Sequence, residues 1–386
     1  MNKFLVNYLS NIIPVTFNLK TKDNITTIGK GKPQFTFIVH NNLSEKELLK
    51  STSLALGEAY MRGDIDVDKD LYEVLNLFLG EMDNRFISDE SKLKKILFPS
   101  LSQKKQREEV SSHYDLGNDF FKLWLDETMS YSCGYFKTSK DTLYGAQMHK
   151  VDHTLEKLQM HEGMRLLDIG CGWGALLIHA AKKYGVKGLG ITLSKEQYAQ
   201  FSQKIIEEHL EDQLEVKLMD YRELENSGLV FDRIVSIGML EHVGRGNYDL
   251  FLKNVDAVLK PQGLFLLHYI SQQTESKGDA WMRKYIFPGG VIPSFREIIS
   301  LLPNYNFDTL DVENLRRHYR ETLLCWSKNF KKVREEVVKT KGEEFARMWE
   351  LYLAACAACF NTGALDLHQI LVSKGVNNSL PMIRTV

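Results

Sequence analysis

An apolar run that breaks into closely spaced glycines, LLDIGCGWG at Leu166 to Gly174, constrains this chain more than any other stretch. About one helix and one strand later comes GLGITLSKEQ, at Gly188 to Gln197. A strand that ends in glycines and opens an amphipathic segment presents backbone N–H groups at a helix N-terminus. That is how α/β domains hold an adenosine-type cofactor. From Arg165 on, the pattern predicts strands at 165–169, 187–191, 214–218, 231–237 and 264–270, with helices at 174–184, 195–209 and 246–259. Pro261-Gln-Gly263 reads as the turn before the last of these strands. The order implies a doubly wound parallel sheet covered on both faces, with its site at the carboxyl ends of the strands.

Glycines alone do not name the cofactor, because Gly170, Gly172 and Ala175 also satisfy the loose G-x-G-x-x-A pattern of NAD enzymes. A dinucleotide site needs an acid at the end of the second strand to bind the ribose. Here that strand, Lys187 to Ile191, runs into Thr192-Leu-Ser, and Glu196 lies inside the next helix. Asp168 directly before the glycines, and the pair Asp220 and Tyr221 after the third strand, fit S-adenosylmethionine better. NAD and a purely structural glycine turn remain the alternatives.

At 386 residues the chain is long enough for about two domains. Its net charge of −1 offers no global field for gripping nucleic acid. No apolar run approaches the roughly 20 residues that cross a bilayer. Asn7 and Asn11 interrupt the N-terminal apolar segment, so it lacks a secretory pattern and a cytoplasmic location is expected. The five cysteines form no disulfide framework, and Cys356 and Cys359 read as core packing at helical spacing rather than as metal ligands.

Residues 3–13 put Phe4, Leu5, Tyr8, Leu9, Ile12 and Ile13 on one helical stripe, which either docks on a core or lies on a membrane. Strands are expected at Val15 to Asn18 and Phe35 to Val39 around a turn-rich segment, Lys20 to Pro33, and Ser44 with Glu47 opens a helix through Tyr60. These make a small mixed α/β domain at 1–90. Residues 91–110 form a linker with six basic residues between Lys92 and Arg107, either plain solvated charge or an attraction to anionic lipid. Residues 111–386 then form the catalytic domain. Beyond Ser271 a polar insertion leads to a helix near 294–301, two longer helices across 321–358 and a late strand near 366–372.

Reactive side chains concentrate in HYDLGNDFF (His113 to Phe121), YSCGYF (Tyr131 to Phe136), GMLEHVG (Gly238 to Gly244) and LHYI (Leu267 to Ile270). Glu241 and His268 fall at or just past the carboxyl ends of the fourth and fifth strands, where a carboxylate and an imidazole can share a proton or clamp an anion. Each also has a plain reading: Glu241 as a helix cap, His268 as a hydrogen-bonded core histidine, Cys133 as a small buried hydrophobe.

Taken in order, these motifs resemble the cyclopropane-fatty-acyl-phospholipid synthase family and its relatives, the mycolic acid cyclopropane synthases. The resemblance runs from His113 to Gly375, and LGEAYMRGDIDV (Leu56 to Val67) is similar to the longer, phospholipid-acting branch. It implies a mainly parallel seven-stranded, Rossmann-like S-adenosylmethionine-dependent methyltransferase fold. By that resemblance the donor site comprises Tyr131, Ser132, the loop Gly170, Cys171, Gly172 and Gly174, Thr192, Gln197 and Tyr221, the last being Trp in the mycolate enzymes. A bicarbonate base is implied at Cys133, Glu241, His268, Ile270 and Tyr319, with Cys356 matching a cysteine regarded as catalytic. An unsaturated phospholipid substrate, peripheral contact with the inner face of the membrane and a homodimer follow from the same resemblance.

Overall fold

The computed structural model describes residues 3–80 and 117–383. The basic linker and His113 to Leu116 of the first reactive segment lie outside the described residues. By packing, the described chain divides into two compact units. One gathers residues up to 80 with 278–288 and 320–365; the other gathers 117–277, 289–319 and 366 onward.

The first unit starts with α1 (Lys3–Ile12), β1 (Phe17–Lys20), β2 (Ile25–Ile28), β3 (Thr36–Val39), α2 (Glu45–Lys50), α3 (Thr52–Arg62), β4 (Ile65–Val67) and α4 (Leu71–Gly80). The strands form a sheet of order β2-β1-β3-β4. The stripe of α1 docks: Leu5, Leu9 and Ile13 are buried with Phe17, Leu19 and Phe37. The turn-rich segment holds a strand, β2, because its Thr-Thr pair continues a ladder with β1. The single helix expected through Tyr60 is two helices. Ser51 sits in extended backbone (φ −161°, ψ 106°) and its hydroxyl caps α3 by accepting from Leu54 N, so a second N-cap interrupts the run.

The second unit contains α5 (Asn118–Lys122), α6 (Leu143–Lys157), β5 (Arg165–Ile169), α7 (Ala175–Tyr184), β6 (Lys187–Thr192), α8 (Lys195–Glu207), β7 (Leu214–Leu218), β8 (Phe231–Ile237), α9 (Tyr248–Val258) and β9 (Leu259–Ser271). After α10 (Ala280–Tyr285), which belongs to the first unit, come α11 (Phe295–Leu301), β10 (Phe307–Asn314), α12 (Arg316–Lys341), α13 (Glu343–Thr362) and β11 (Asp366–Lys374). The residues of α12 from 320 and all of α13 group with the first unit. The sheet is doubly wound and seven-stranded, of order β10-β11-β9-β8-β5-β6-β7. Strands β5 to β9 are parallel, and β11 runs antiparallel between β9 and β10.

Pro261-Gln-Gly263 is not a free turn. It lies inside β9, where the register against β8 slips between Phe231 and Arg233 and Gln262 takes a φ of 63°. Such a bulge absorbs the extra residues without ending the strand. Alternation along β9 decides what faces what. Phe265, Leu267 and Tyr269 join one core with Phe251 and Val255 of α9. Leu264 and Leu266 join the other, with Leu155 of α6, Leu177 of α7 and Phe201 of α8. His268 and Ile270 continue this second row. Strand order reverses between β5 and β8, and an open α/β sheet forms its ligand crevice at the carboxyl ends beside such a switch. Among the described residues no helix is long and apolar enough to cross a membrane.

Candidate active site

The glycine loop follows β5 directly. Gly170 N and Cys171 N both donate to Ile191 O (3.0 and 3.1 Å), pinning the loop to the end of β6. Gly170, Gly172 and Gly174 all have positive φ, which an L side chain adopts only at a cost. They differ in duty. A Cβ on Gly172 would meet nothing within 4 Å, whereas one on Gly174 would sit 2.1 Å from the Phe201 ring. Gly172 therefore serves the crevice and Gly174 the seating of α7 on α8.

A cavity opens above this loop, lined by Tyr131, Ser132, Asp168, Gly170, Cys171, Gly172, Trp173, Thr192, Gln197 and Tyr221, and also by Met129, Lys150, Met239 and His242. Trp173 Nε1 donates to Asn118 Oδ1 (2.8 Å), and its ring packs on Phe121, which in turn packs on Tyr131 (5.8 and 5.3 Å between centroids). That aromatic wall ties α5 to the loop and keeps the crevice apolar on one side. At the end of β6, Thr192 Oγ1 donates to Gln197 Oε1 (2.7 Å) and the Ser194 hydroxyl caps α8. Asp168 is the only carboxylate lining the cavity among the described residues. An acid at the end of β6, which a dinucleotide ribose needs, is absent from that lining.

Burial pushes the Asp168 carboxyl up to about 7, opposed by the positive charge of Lys150. Burial also raises the Cys171 thiol, which keeps it neutral. Asp220 does not line the cavity. Both its oxygens take bonds from Arg222 (2.9 and 2.7 Å) and it caps the turn Tyr221–Glu223, so it positions Tyr221 from behind.

A second group of side chains lies one step along the sheet. Gly238 N donates to His268 O (2.9 Å) where β8 ends. Ile270 N, the next main-chain donor on that edge of β9, has lost its strand partner and donates to Glu241 Oε1 at 2.6 Å. Ile270 pairs with Leu367 on β11, and Leu367 O accepts from Leu315 N at 2.8 Å. Leu315 O in turn accepts from Tyr319 N (3.1 Å), in the first turn of α12, and lies 3.9 Å from Cys133 Sγ. Cys133, Glu241, His268, Ile270 and Tyr319 are thus joined through one short chain of contacts.

Two atoms of that group stand out. Glu241 Oε2 and His268 Nε2 are buried without a hydrogen-bond partner. Burial lifts the Glu241 carboxyl to about 7 and, aided by Lys150 and Lys157, drops the His268 imidazole to about 3, so His268 is neutral near pH 7. Gln369 Nε2 lies 3.4 Å from His268 Nδ1. An amide N–H donating there leaves the imidazole proton on Nε2. The pair then offers one acceptor and one donor, both desolvated, a combination suited to a small oxyacid that gives and takes hydrogen bonds.

The two groups abut. Met239 and His242, which flank Glu241 in its turn, line the glycine-loop cavity, as does Ser132 beside Cys133. Cys356 sits on α13 in the first unit, buried, with its thiol raised well above the usual range by that burial. Tyr269 points to the opposite core, and Tyr135 stacks between His153 and His318 (4.2 and 4.6 Å) instead of walling the cavity. Sequence reasoning missed Lys150, because α6 turns a polar stripe inward: Gln147, Lys150, Thr154 and Lys157 are all buried. Polar residues at i, i+3 and i+7 spacing read as a solvated face unless the structure places partners there.

A family model described as mycolic acid cyclopropane synthetase matches residues 101–370, and one described only as a domain of unknown function matches residues 1–90. The chain is 41% identical over 346 residues to the cyclopropane-fatty-acyl-phospholipid synthase of Escherichia coli K12, covering 88% of each. It is 33% identical over 336 residues to the tuberculostearic acid methyltransferase UfaA1 of Mycobacterium tuberculosis, covering 82% of this chain and 78% of that one. Among solved structures, mycolic acid cyclopropane synthase CmaA1 complexed with SAH and CTAB is 34% identical. It superposes with a TM-score of 0.65 over 69% of this chain and 98% of that one. With that match over residues 101–370 and that identity over most of its length, the chain belongs to the mycolic acid cyclopropane synthetase family.

Proposed function

We propose that this protein transfers a methylene group from S-adenosylmethionine to the cis double bond of an unsaturated phospholipid acyl chain, closing a cyclopropane ring with bicarbonate as general base. The observation that carries the reading is two buried, partnerless atoms: Glu241 Oε2, in a turn whose neighbours line the glycine-loop cavity, and His268 Nε2, on β9. The donor is supported by the fit of that cavity, by the lack of an acid at the end of β6, and by the SAH in the CmaA1 structure. The phospholipid is supported by the name of the E. coli relative.

When bound, S-adenosylmethionine supplies an electrophilic methyl group and bicarbonate a base for the proton that this group gives up. The residues do the rest. An olefin is a weak nucleophile, so Tyr131, Trp173 and Met239 have to hold it in near-attack geometry and keep out water. Glu241 accepts from Ile270 N through one oxygen and turns the other toward the base, while His268 donates from Nε2. Both fix the base's orientation, and the imidazole, with its pKa dropped to about 3, does not compete for the proton. Tyr319, in the first turn of α12, and Cys133 both meet the Leu315 carbonyl beside this group, through Tyr319 N and Cys133 Sγ.

Acting on a membrane lipid, such a chain works at the inner face of the membrane. A homodimer completes the reading on family resemblance. A second reading, methylation of a lipid chain without ring closure, is favoured by the likeness to the tuberculostearic acid methyltransferase. Expression in a host whose lipids lack rings, followed by mass spectrometry with fragmentation, separates them. Ring-bearing acyl chains are expected; methyl-branched chains would establish the second reading, and unaltered lipids would refute both.

A further inference from the structure

Lys150 is 5% exposed and sits on the wall of the glycine-loop cavity. Its ammonium donates to Ser132 Oγ at 3.2 Å, a neutral hydroxyl, and among the described residues no carboxylate lies within ion-pairing distance of it. Gln147, one turn earlier on α6, donates to Ser132 O at 2.8 Å and so fixes the Ser132 main chain without help from the lysine. A lysine is buried at high cost unless an anion faces it. Asp168 lies on the same cavity wall, and its carboxyl is the anionic counterpart when ionised. One buried cation and one buried carboxylate around a single cavity are complementary to a zwitterion, such as the amino-acid end of a sulfonium nucleoside donor.

Resting on the donor reading above, the structure assigns Lys150 as the residue that binds the donor's α-carboxylate, with Ser132 holding the ammonium in place. The lysine is a ligand-binding group, not a structural strut for the Tyr131–Ser132 segment. Its charge, and the length that lets it reach from α6 into the cavity, are what the site uses.

The test is calorimetry of the full chain with two probes: S-adenosylhomocysteine, and its decarboxylated analogue, which keeps the ammonium and lacks the carboxylate. Wild type is expected to bind the first roughly 30-fold or more tightly than the second, the loss typical of truncating one partner of a buried charge pair. Lys150→Met should erase that preference, lowering affinity for S-adenosylhomocysteine while leaving the analogue's affinity nearly unchanged. Equal binding of both probes by wild type overturns the assignment even where the variant fails to fold. An equal loss of both in a folded variant, judged by its thermal melt, also overturns it and makes Lys150 a strut. Binding of neither probe by wild type would instead sink the donor reading itself.

Discussion

The glycine-loop cavity and the acid–imidazole group differ in how they are built. The cavity owes its shape to main-chain geometry over a short stretch: residues 168–175 fold back on Ile191 through two backbone bonds, and positive φ at three glycines opens the loop. The neighbouring group is drawn from Cys133, Glu241, His268 and Tyr319, remote in sequence and joined through the ends of β8, β9 and β11. Main-chain geometry suits binding, which tolerates changes of side chain. Chemistry needs two side-chain atoms kept dry and without partners, and that tolerates almost none. Substitutions in the two places should therefore fail differently.

The largest effect falls on turnover. Glu241→Gln keeps the shape but loses the ionised acceptor, so ring formation should drop by roughly 10²–10⁴-fold, with S-adenosylhomocysteine affinity unchanged. Wild-type turnover in a lipid assay would break the distinction. Gly172→Val should do the reverse. A branched side chain at φ 54° projects into the cavity, and donor affinity should fall about 100-fold as strain of ~1–2 kcal/mol adds to lost volume. Retained affinity by calorimetry would show that the loop does not hold the donor.

Smaller, and sharper, is the pH dependence. Glu241 and Asp168 both titrate near 7 because burial disfavours their charge. Turnover should decline as pH falls through about 7 and Glu241 takes up a proton, and Glu241→Gln should remove that limb from its residual rate. Asp168 should show instead in the pH dependence of donor affinity. The same raised value has the opposite sign for stability. The folded state holds the Glu241 proton more tightly than the unfolded state, whose carboxyl titrates near its ordinary 4.5, so this contribution is lost as pH rises from about 4.5 through 7. Thermal melts of Glu241→Gln should lose that slope. Smallest of all is Cys356→Ala, which should leave turnover within about 3-fold and cost roughly 1 kcal/mol of stability at most. A thiol raised by burial is a poor nucleophile, and abolished turnover in a folded variant would require a role for it in the chemistry.

The same contrast explains what could be read in the chain. Strands β5 to β9 and the glycine loop are continuous, apolar and locally punctuated, so their positions follow from pattern within a few residues. Strand β10 escapes notice because FDTLDVEN carries acids on both sides of its alternation, and it becomes a strand only by pairing with β11. Helix α6 escapes because its buried stripe is polar, and Lys157 on it bonds Asp311 and Glu313 of β10. Each hides the other, since neither looks like core until they meet. Asp220 has a partner that the pattern does not show: Arg222, two residues on, bonds both its oxygens. Glu241 and His268 were visible as candidates. That one is anchored by the main chain of Ile270 and both keep a free atom could be learned only in three dimensions.

A crystal structure of the full chain with S-adenosylhomocysteine and bicarbonate tests the central claim most directly. Planar density bonded to Glu241 Oε2 and His268 Nε2, facing the donor sulfur across the cavity above Gly172, is the predicted result. Those two atoms bonded to protein groups instead, with the nucleoside seated away from the glycine loop, would contradict it.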